Sequence, residues 1–135
     1  MPLFEWSAEY SVGVNEFDEQ HKKLIEMINE LHSAMKSGKS KEAFEPLFDG
    51  LIDYTTKHFR AEEKLMQEHS YLSYTVHQKE HSRLIMQVLE FQEKFKQGSI
   101  GLGVELLSFL TTWLQHHIKG IDKQYGAFFN AKGIK

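Results

Sequence analysis

Two side-chain pairs carry the first chemical signal in this chain. His58 and Glu62, in HFRAE, stand four residues apart, and so do His77 and His81, in HQKEH. On a helix, residues i and i+4 share one face, about 6 Å apart along the axis. Two imidazoles so placed can hold one metal ion. An imidazole and a carboxylate can hold one ion or reach a second. Each pair taken singly is weak evidence, because such spacings arise by chance. A third signal is WLQHHIKGID, where His116 and His117 are neighbours and Asp122 follows. At about 100° per residue, Leu106, Leu107, Leu110, Trp113 and Leu114 form one apolar arc, with His117 near its centre and His116 on the flank. His117 is therefore the inward candidate. Asp122 joins it if the helix unwinds at Gly120 and brings the carboxylate back.

These residues need elements to position them. Gly and Pro are sparse, and apolar residues recur at helical spacing almost throughout, which predicts four helices. They run from about 18 to 36, from the SGKS break to about Gln67, from about 73 to 97, and from about 104 to 119. The first carries His21, Ile25, Ile28, His32 and Met35 on one face. QGSIGLG separates the third from the fourth. Pro46 marks either the first turn of the second helix or a kink in one begun at Ser40.

Short connections favour an all-α fold, an up-down-up-down four-helix bundle. An N-terminal arm over residues 1–16 supplies Phe4, Trp6 and Tyr10 for burial, and a short helical tail covers residues 120–135, so that 1–135 forms a single domain. In such a bundle the starts of the first and third helices and the ends of the second and fourth lie at one end. His21, His58, Glu62, His77, His81, His117 and Asp122 converge there. Five imidazoles and two carboxylates exceed the needs of one ion and suit two. Imidazole-rich ligation suits iron, zinc, copper or nickel, and the carboxylates with a high coordination number favour iron.

Composition narrows the function. A net charge of −3 gives no reason to expect nucleic acid or an anionic membrane as partner. The absence of cysteine excludes disulfides, thiolate metal sites, iron–sulfur clusters and a cysteine nucleophile. No apolar run approaches the roughly 20 residues that span a bilayer, and MPLFEWSAEY lacks the pattern of a secretory signal. The expectation is a cytoplasmic monomer without stable membrane insertion. His32 lies about 16 Å along the first helix from His21 and cannot share its site. His69 and His116 are expected at exposed positions, Glu63 and Glu80 on solvated faces, and Met27, Met35, Met66 and Met86 in packing.

DEQHKKL, HFRAEEKLM, HQKEH and WLQHHIKGIDKQYG, in that order along nearly the whole chain, resemble the hemerythrins of the single-domain bacterial type. All seven candidate positions match that pattern. The resemblance implies a non-haem di-iron centre: two iron ions with a bridging oxo or hydroxo group. His77, His81 and His117 would complete one iron. His21 and His58 would bind the other, left five-coordinate, and Glu62 and Asp122 would bridge both. It further implies dioxygen as the ligand at the open position, Leu114 packed over it, and Trp113 and Phe59 closing the pocket. Tyr125 matches a position near the chain end that packs or hydrogen-bonds. The implied function is reversible dioxygen binding for storage or delivery, with an oxygen-consuming enzyme as recipient and no catalysis. Two alternatives stand beside it: a di-iron oxidase, peroxidase or nitric oxide-handling enzyme, and an oxygen or redox sensor. Catalytic di-iron bundles carry four carboxylates and two Glu-x-x-His motifs, which this site lacks. Hemerythrin sensors are usually joined to signalling domains, and none is present in this sequence.

Overall fold

The first helix, α1 (Asn15–Lys36), buries Phe17, His21, Leu24, Ile25, Ile28, Leu31 and Ala34. That stripe at three- and four-residue spacing is apolar except at His21, so the helix faces the core along its length and offers one metal-ligating group near its start. The computed structural model describes residues 4–36, 41–97 and 102–135. In it, α1 is followed by α2 (Lys41–Glu68), α3 (Tyr74–Lys96) and α4 (Leu102–His116). A six-residue π-helical segment (His117–Asp122) and α5 (Lys123–Ala131) complete the chain's helices. No strand occurs among the described residues. Among the described residues, no helix is long and apolar enough to cross a membrane. The two expected breaks at 37–40 and 98–101 lie outside the described residues.

α1 and α3 each pack mainly against α2 and α4, the arrangement of a four-helix bundle. Side chains such as Phe17, Leu31, Phe48, Met66 and Leu106 are almost wholly buried in its interior. Each contributes roughly 1.5–3 kcal/mol relative to exposure. The two ends differ in character. Phe44, Phe48 and Phe95 cluster at one end, and the histidines collect at the other. Pro46 lies inside α2, past its first turn, and the helix runs through it.

α2 closes with Ser70 in the left-handed region at φ 55°. The Tyr71 amide reaches back to the Met66 carbonyl at 2.9 Å and the Ser70 amide to that of Gln67 at 3.2 Å. This glycine-type ending, made here by serine, turns the chain sharply into α3.

The arm is ordered and packed. Phe4, Tyr10, Val12 and Val14 are buried, and Ala8–Tyr10 form a 3₁₀ turn. Asn29 pins it by bonding both the amide and the carbonyl of Phe4. Asp18 accepts from the Ser11 hydroxyl at 2.6 Å and the Val12 amide at 2.8 Å. The arm also grips the C-terminal helix. Asn130 donates to the Gly13 carbonyl, and Lys119 reaches Glu9 while lying over the Tyr10 ring.

The tightest contact is at Gly126, where an added Cβ would lie 1.9 Å from the Val12 carbonyl oxygen. Backbone on both sides leaves no flexible atom to yield. Gly126→Ala is expected to force arm and tail apart at a cost of about 3 kcal/mol. The urea unfolding midpoint would reveal it; a wild-type midpoint would show that the two segments are not held this closely.

Candidate metal centre

His21 enters from the start of α1, His58 and Glu62 from the last turns of α2, His77 and His81 from the start of α3. His117 and Asp122 arrive from the π-helical segment after α4. All seven are buried. Their meeting at one end requires neighbouring helices to run antiparallel.

The π segment decides how the last two arrive. In an α-helix five residues turn about 500°, leaving Asp122 some 140° away from His117. Here the helix widens instead of unwinding, and the Lys123 amide bonds to the Ile118 carbonyl five residues back. This bulge turns both residues toward the cluster. Gly120 keeps a helical backbone with open space around its Cα, so the expected break at that glycine does not occur. The helix continues instead to Ala131.

The donor atoms form two overlapping groups. Glu62, His77, His81, His117 and Asp122 present one set of ligand atoms within 4.8 Å of one another, and His21, His58 and Glu62 present a second. Each carboxylate divides its oxygens between them. Glu62 Oε1 lies 3.4 Å from His81 Nε2, whereas Oε2 lies 3.3 Å from the Nε2 atoms of both His21 and His58. Asp122 Oδ1 lies 2.9 Å from His77 and 3.0 Å from His117, and Oδ2 lies 3.1 Å from His21. On the side of the larger set, His117 Nε2 stands 3.2 Å from His77 Nε2 and 3.1 Å from His81 Nε2. Imidazole nitrogens facing one another so closely cannot all carry protons. Despite these short approaches, Glu62 Oε1 and both Asp122 oxygens form no hydrogen bond of good geometry among the described residues. A donor set that is all imidazole nitrogen and carboxylate oxygen, buried and converging, fits cations between its members.

Electrostatics follow the same logic. Burial favours the neutral form of Glu62, but the facing imidazoles hold its carboxyl well below the usual range. Asp122 is also held well below that range, against burial and against repulsion from Glu62, by His117 and His21. Burial lowers His21, yet contact with Asp122 and Glu62 outweighs it and raises the imidazole to about 10. His81 rises to about 9 against burial, through Glu62 and Glu63. For His58 burial wins and the ring is lowered. Tyr125, buried and facing both carboxylates, is raised well above its normal value and donates its hydroxyl proton to Glu62 Oε2.

The surroundings hold the imidazoles in place. Phe59 stacks on His81 at 3.7 Å between ring centres, nearly parallel. Trp113 stacks on His117 at 4.2 Å, and Tyr125 stacks on His77 at 5.6 Å. Gln20 and Glu63 were not among the candidates, and Glu63 was expected on a solvated face. Glu63 Oε2 instead accepts from His81 Nδ1 at 2.8 Å, and Gln20 Oε1 accepts from His58 Nδ1 at 2.5 Å. Adjacency to a ligand position was their only sequence signal, and it does not distinguish an inward from a flanking neighbour. His116 is exposed, as expected of the flank. His69 is half-buried against Phe129. His32 is half-buried in a groove between α1 and α4. Glu80 is half-buried in the groove that also holds His116. Met66 is core, whereas Met86 is largely exposed.

A four-helix bundle with two overlapping histidine–carboxylate groups at one end defines a class of helical, metal-binding proteins. The description of the hemerythrin HHE cation-binding domain matches residues 12–129, and the chain belongs to the hemerythrin family. It is 36% identical over 132 residues to a bacteriohemerythrin of Methylococcus capsulatus, covering 97% of this chain and 100% of that protein. It is 38% identical over 120 residues to a bacteriohemerythrin of Pseudomonas aeruginosa, covering 89% and 77%. The crystal structure of a wild-type hemerythrin superposes with a TM-score of 0.86 at 34% identity, over 93% of this chain and 96% of that one.

Metal binding must displace the protons held by His21 and His81. Their raised values mean that both rings stay protonated at neutral pH without metal, so affinity rises with pH as those protons leave. Titrating metal-free protein with zinc in weak buffer is expected to release protons and acidify the solution, with tighter binding at pH 8 than at pH 6. The same protons stabilise the metal-free fold fully below about 6.5, and that stability is lost as pH rises toward about 10. A zinc titration without proton release would contradict this assignment.

Proposed function

We propose that this protein binds dioxygen reversibly at two non-haem iron ions, for storage or for delivery to an oxygen-consuming enzyme. His77, His81 and His117 would hold one ion and His21 and His58 the other, with Glu62 and Asp122 spanning both and an oxo or hydroxo group as the third bridge. Bound iron supplies a reversible electron exchange with dioxygen that no side chain of this protein performs. The division of each carboxylate's oxygens between the two groups of imidazoles supports this arrangement, as does membership of the hemerythrin family.

One observation carries the choice of dioxygen. A small cavity of about 20 Å³ lies beside the cluster, lined by Leu24, Ile28, Leu51, Thr55, Phe59, Leu84, Leu110, Trp113 and Leu114. Leu24 follows His21 by one turn, Thr55 precedes His58 by one turn, and Leu114 precedes His117 by one turn. The volume suits one molecule the size of water, yet water needs two to four polar partners, and Thr55 and Trp113 are the only lining residues with polar side chains. An apolar diatomic gas meets no such requirement. The remaining lining side chains are hydrocarbon and carry no proton to donate. Phe59 and Trp113 in this wall also stack on the His81 and His117 imidazoles, and Leu114 lines it beside them.

Protein loaded anaerobically with ferrous iron is expected to gain a visible absorption band on admission of dioxygen and to lose it when the gas is removed. Irreversible conversion to a ferric form, with catalytic consumption of an added reductant, would replace this reading with an oxidase or peroxidase. Leu114→Ala removes part of the wall. It is expected to accelerate autoxidation severalfold and to cost about 2–5 kcal/mol of stability; an unchanged autoxidation rate would place the barrier to water elsewhere.

A further inference from the structure

We propose that Glu63 is a positioning residue that makes the two metal positions electronically unequal. It does so by setting a carboxylate behind one ligand imidazole where the other position has only an amide. This inference rests on the reading that the cluster holds two iron ions.

The five ligand imidazoles turn Nε2 toward the cluster, so Nδ1 is the atom through which the protein can tune each ring. Two of the five have a hydrogen-bond partner. His81 Nδ1 donates to Glu63 Oε2 at 2.8 Å. His58 Nδ1 donates to Gln20 Oε1 at 2.5 Å. The Nδ1 atoms of His21, His77 and His117 are buried without a partner among the described residues. The two bonds therefore fall one on each metal position, and their acceptors differ in charge.

That difference has a chemical consequence. A bond to an ionised carboxylate is roughly twice as strong as one to a neutral acceptor. It draws the Nδ1 proton outward and leaves the imidazole more electron-rich, hence a stronger donor through Nε2. A neutral amide oxygen fixes the orientation of the ring without that push. The position bounded by His77, His81 and His117 thus receives added electron density. The position bounded by His21 and His58 does not.

The fold explains how Glu63 comes to do this. Glu62 and Glu63 are neighbours on α2 and point about 100° apart. Glu62 enters the cluster, and Glu63 crosses the seam between α2 and α3 to the outer edge of His81. Phe59, stacked on the face of that ring, blocks rotation away from Glu63. The Glu63 side chain is 19% exposed, so its carboxylate stays partly solvated at the rim and escapes the full cost of burial.

The test is the midpoint potential of the two-iron protein, measured anaerobically by spectroelectrochemistry, with Mössbauer spectra to resolve the two irons. Glu63→Gln keeps an acceptor for His81 Nδ1 and removes the charge. It is expected to retain two irons, shift the midpoint to more positive potential, alter the spectrum of one iron, and slow autoxidation severalfold. Gln20→Glu adds the charge behind His58 and is expected to shift the midpoint the opposite way and alter the other iron. Glu63→Ala, losing orientation and charge together, is expected to weaken iron binding by roughly 10-fold or more. A purely orienting role predicts that Glu63→Gln restores the wild-type potential and spectrum, and that result would overturn the proposal. Should Glu63→Gln fail to retain iron, an unshifted potential in Gln20→Glu would overturn it equally. The potential and the Mössbauer spectra are recorded without dioxygen, so a failed oxygen cycle with a shifted potential would discard only the carrier reading.

Discussion

Two ionised carboxylates, Glu62 and Asp122, lie in the dry interior of this bundle at 0% and 1% exposure. An unpaired charge in such surroundings is strongly unfavourable, and much of the rest of the structure answers that constraint. Five imidazoles surround the pair. In the metal-free protein some of them hold protons, and His21 is raised far above its normal value by the two carboxylates. Cations can take the place of those protons because the donor atoms already converge. The tyrosine hydroxyl of Tyr125 supplies a further hydrogen bond to Glu62 from within the core. Neutralisation by proton and neutralisation by metal are thus alternatives in one electrostatic problem.

The same constraint explains the shape of the C-terminal half. An uninterrupted α-helix would present either His117 or Asp122 to the cluster, but not both. A π-helical bulge is a costly local geometry, uncommon outside functional sites, and it is held here from two sides. α5 continues beyond it, burying Tyr125 and Phe129. The N-terminal arm closes over it, with Lys119 linked to Glu9 and Gly126 against the Val12 backbone. The arm does more than cover apolar surface: it packs against the segment that carries His117 and Asp122 into the cluster.

Division of labour along the bundle axis completes the design. The end distant from the cluster is aromatic and supplies hydrophobic stabilisation. The middle is largely apolar and contains a small cavity lined mainly by hydrocarbon side chains. The near end is polar, yet its polar atoms are stacked under Phe59, Trp113 and Tyr125, which exclude solvent and fix the planes of three of the five imidazoles.

Helix geometry is local, and what is local could be read from the sequence. The four-residue spacings of His58 with Glu62 and His77 with His81 fix their common faces whatever the tertiary context. The apolar arc ending at Trp113 and Leu114 fixes His117 as the inward member of its pair. Short connections fix alternating helix direction, and so bring the ligand-bearing ends together. Asp122 could be associated with the cluster, but not the way it arrives, because α and π turns differ by a single residue in hydrogen-bond span and the sequence marks neither. Glu63 could not be assigned to His81, nor Gln20 to His58. Those bonds depend on the rotation of one helix against another, and a flanking residue points to solvent or to a neighbour according to that rotation alone. Tyr125 reaches Glu62 across 63 residues of sequence, and Gly126 meets Val12 across an even longer interval. Sequence periodicity determined which residues form the face that closes the histidine–carboxylate cluster; the packing of helices, arm and tail decided which groups stand behind it.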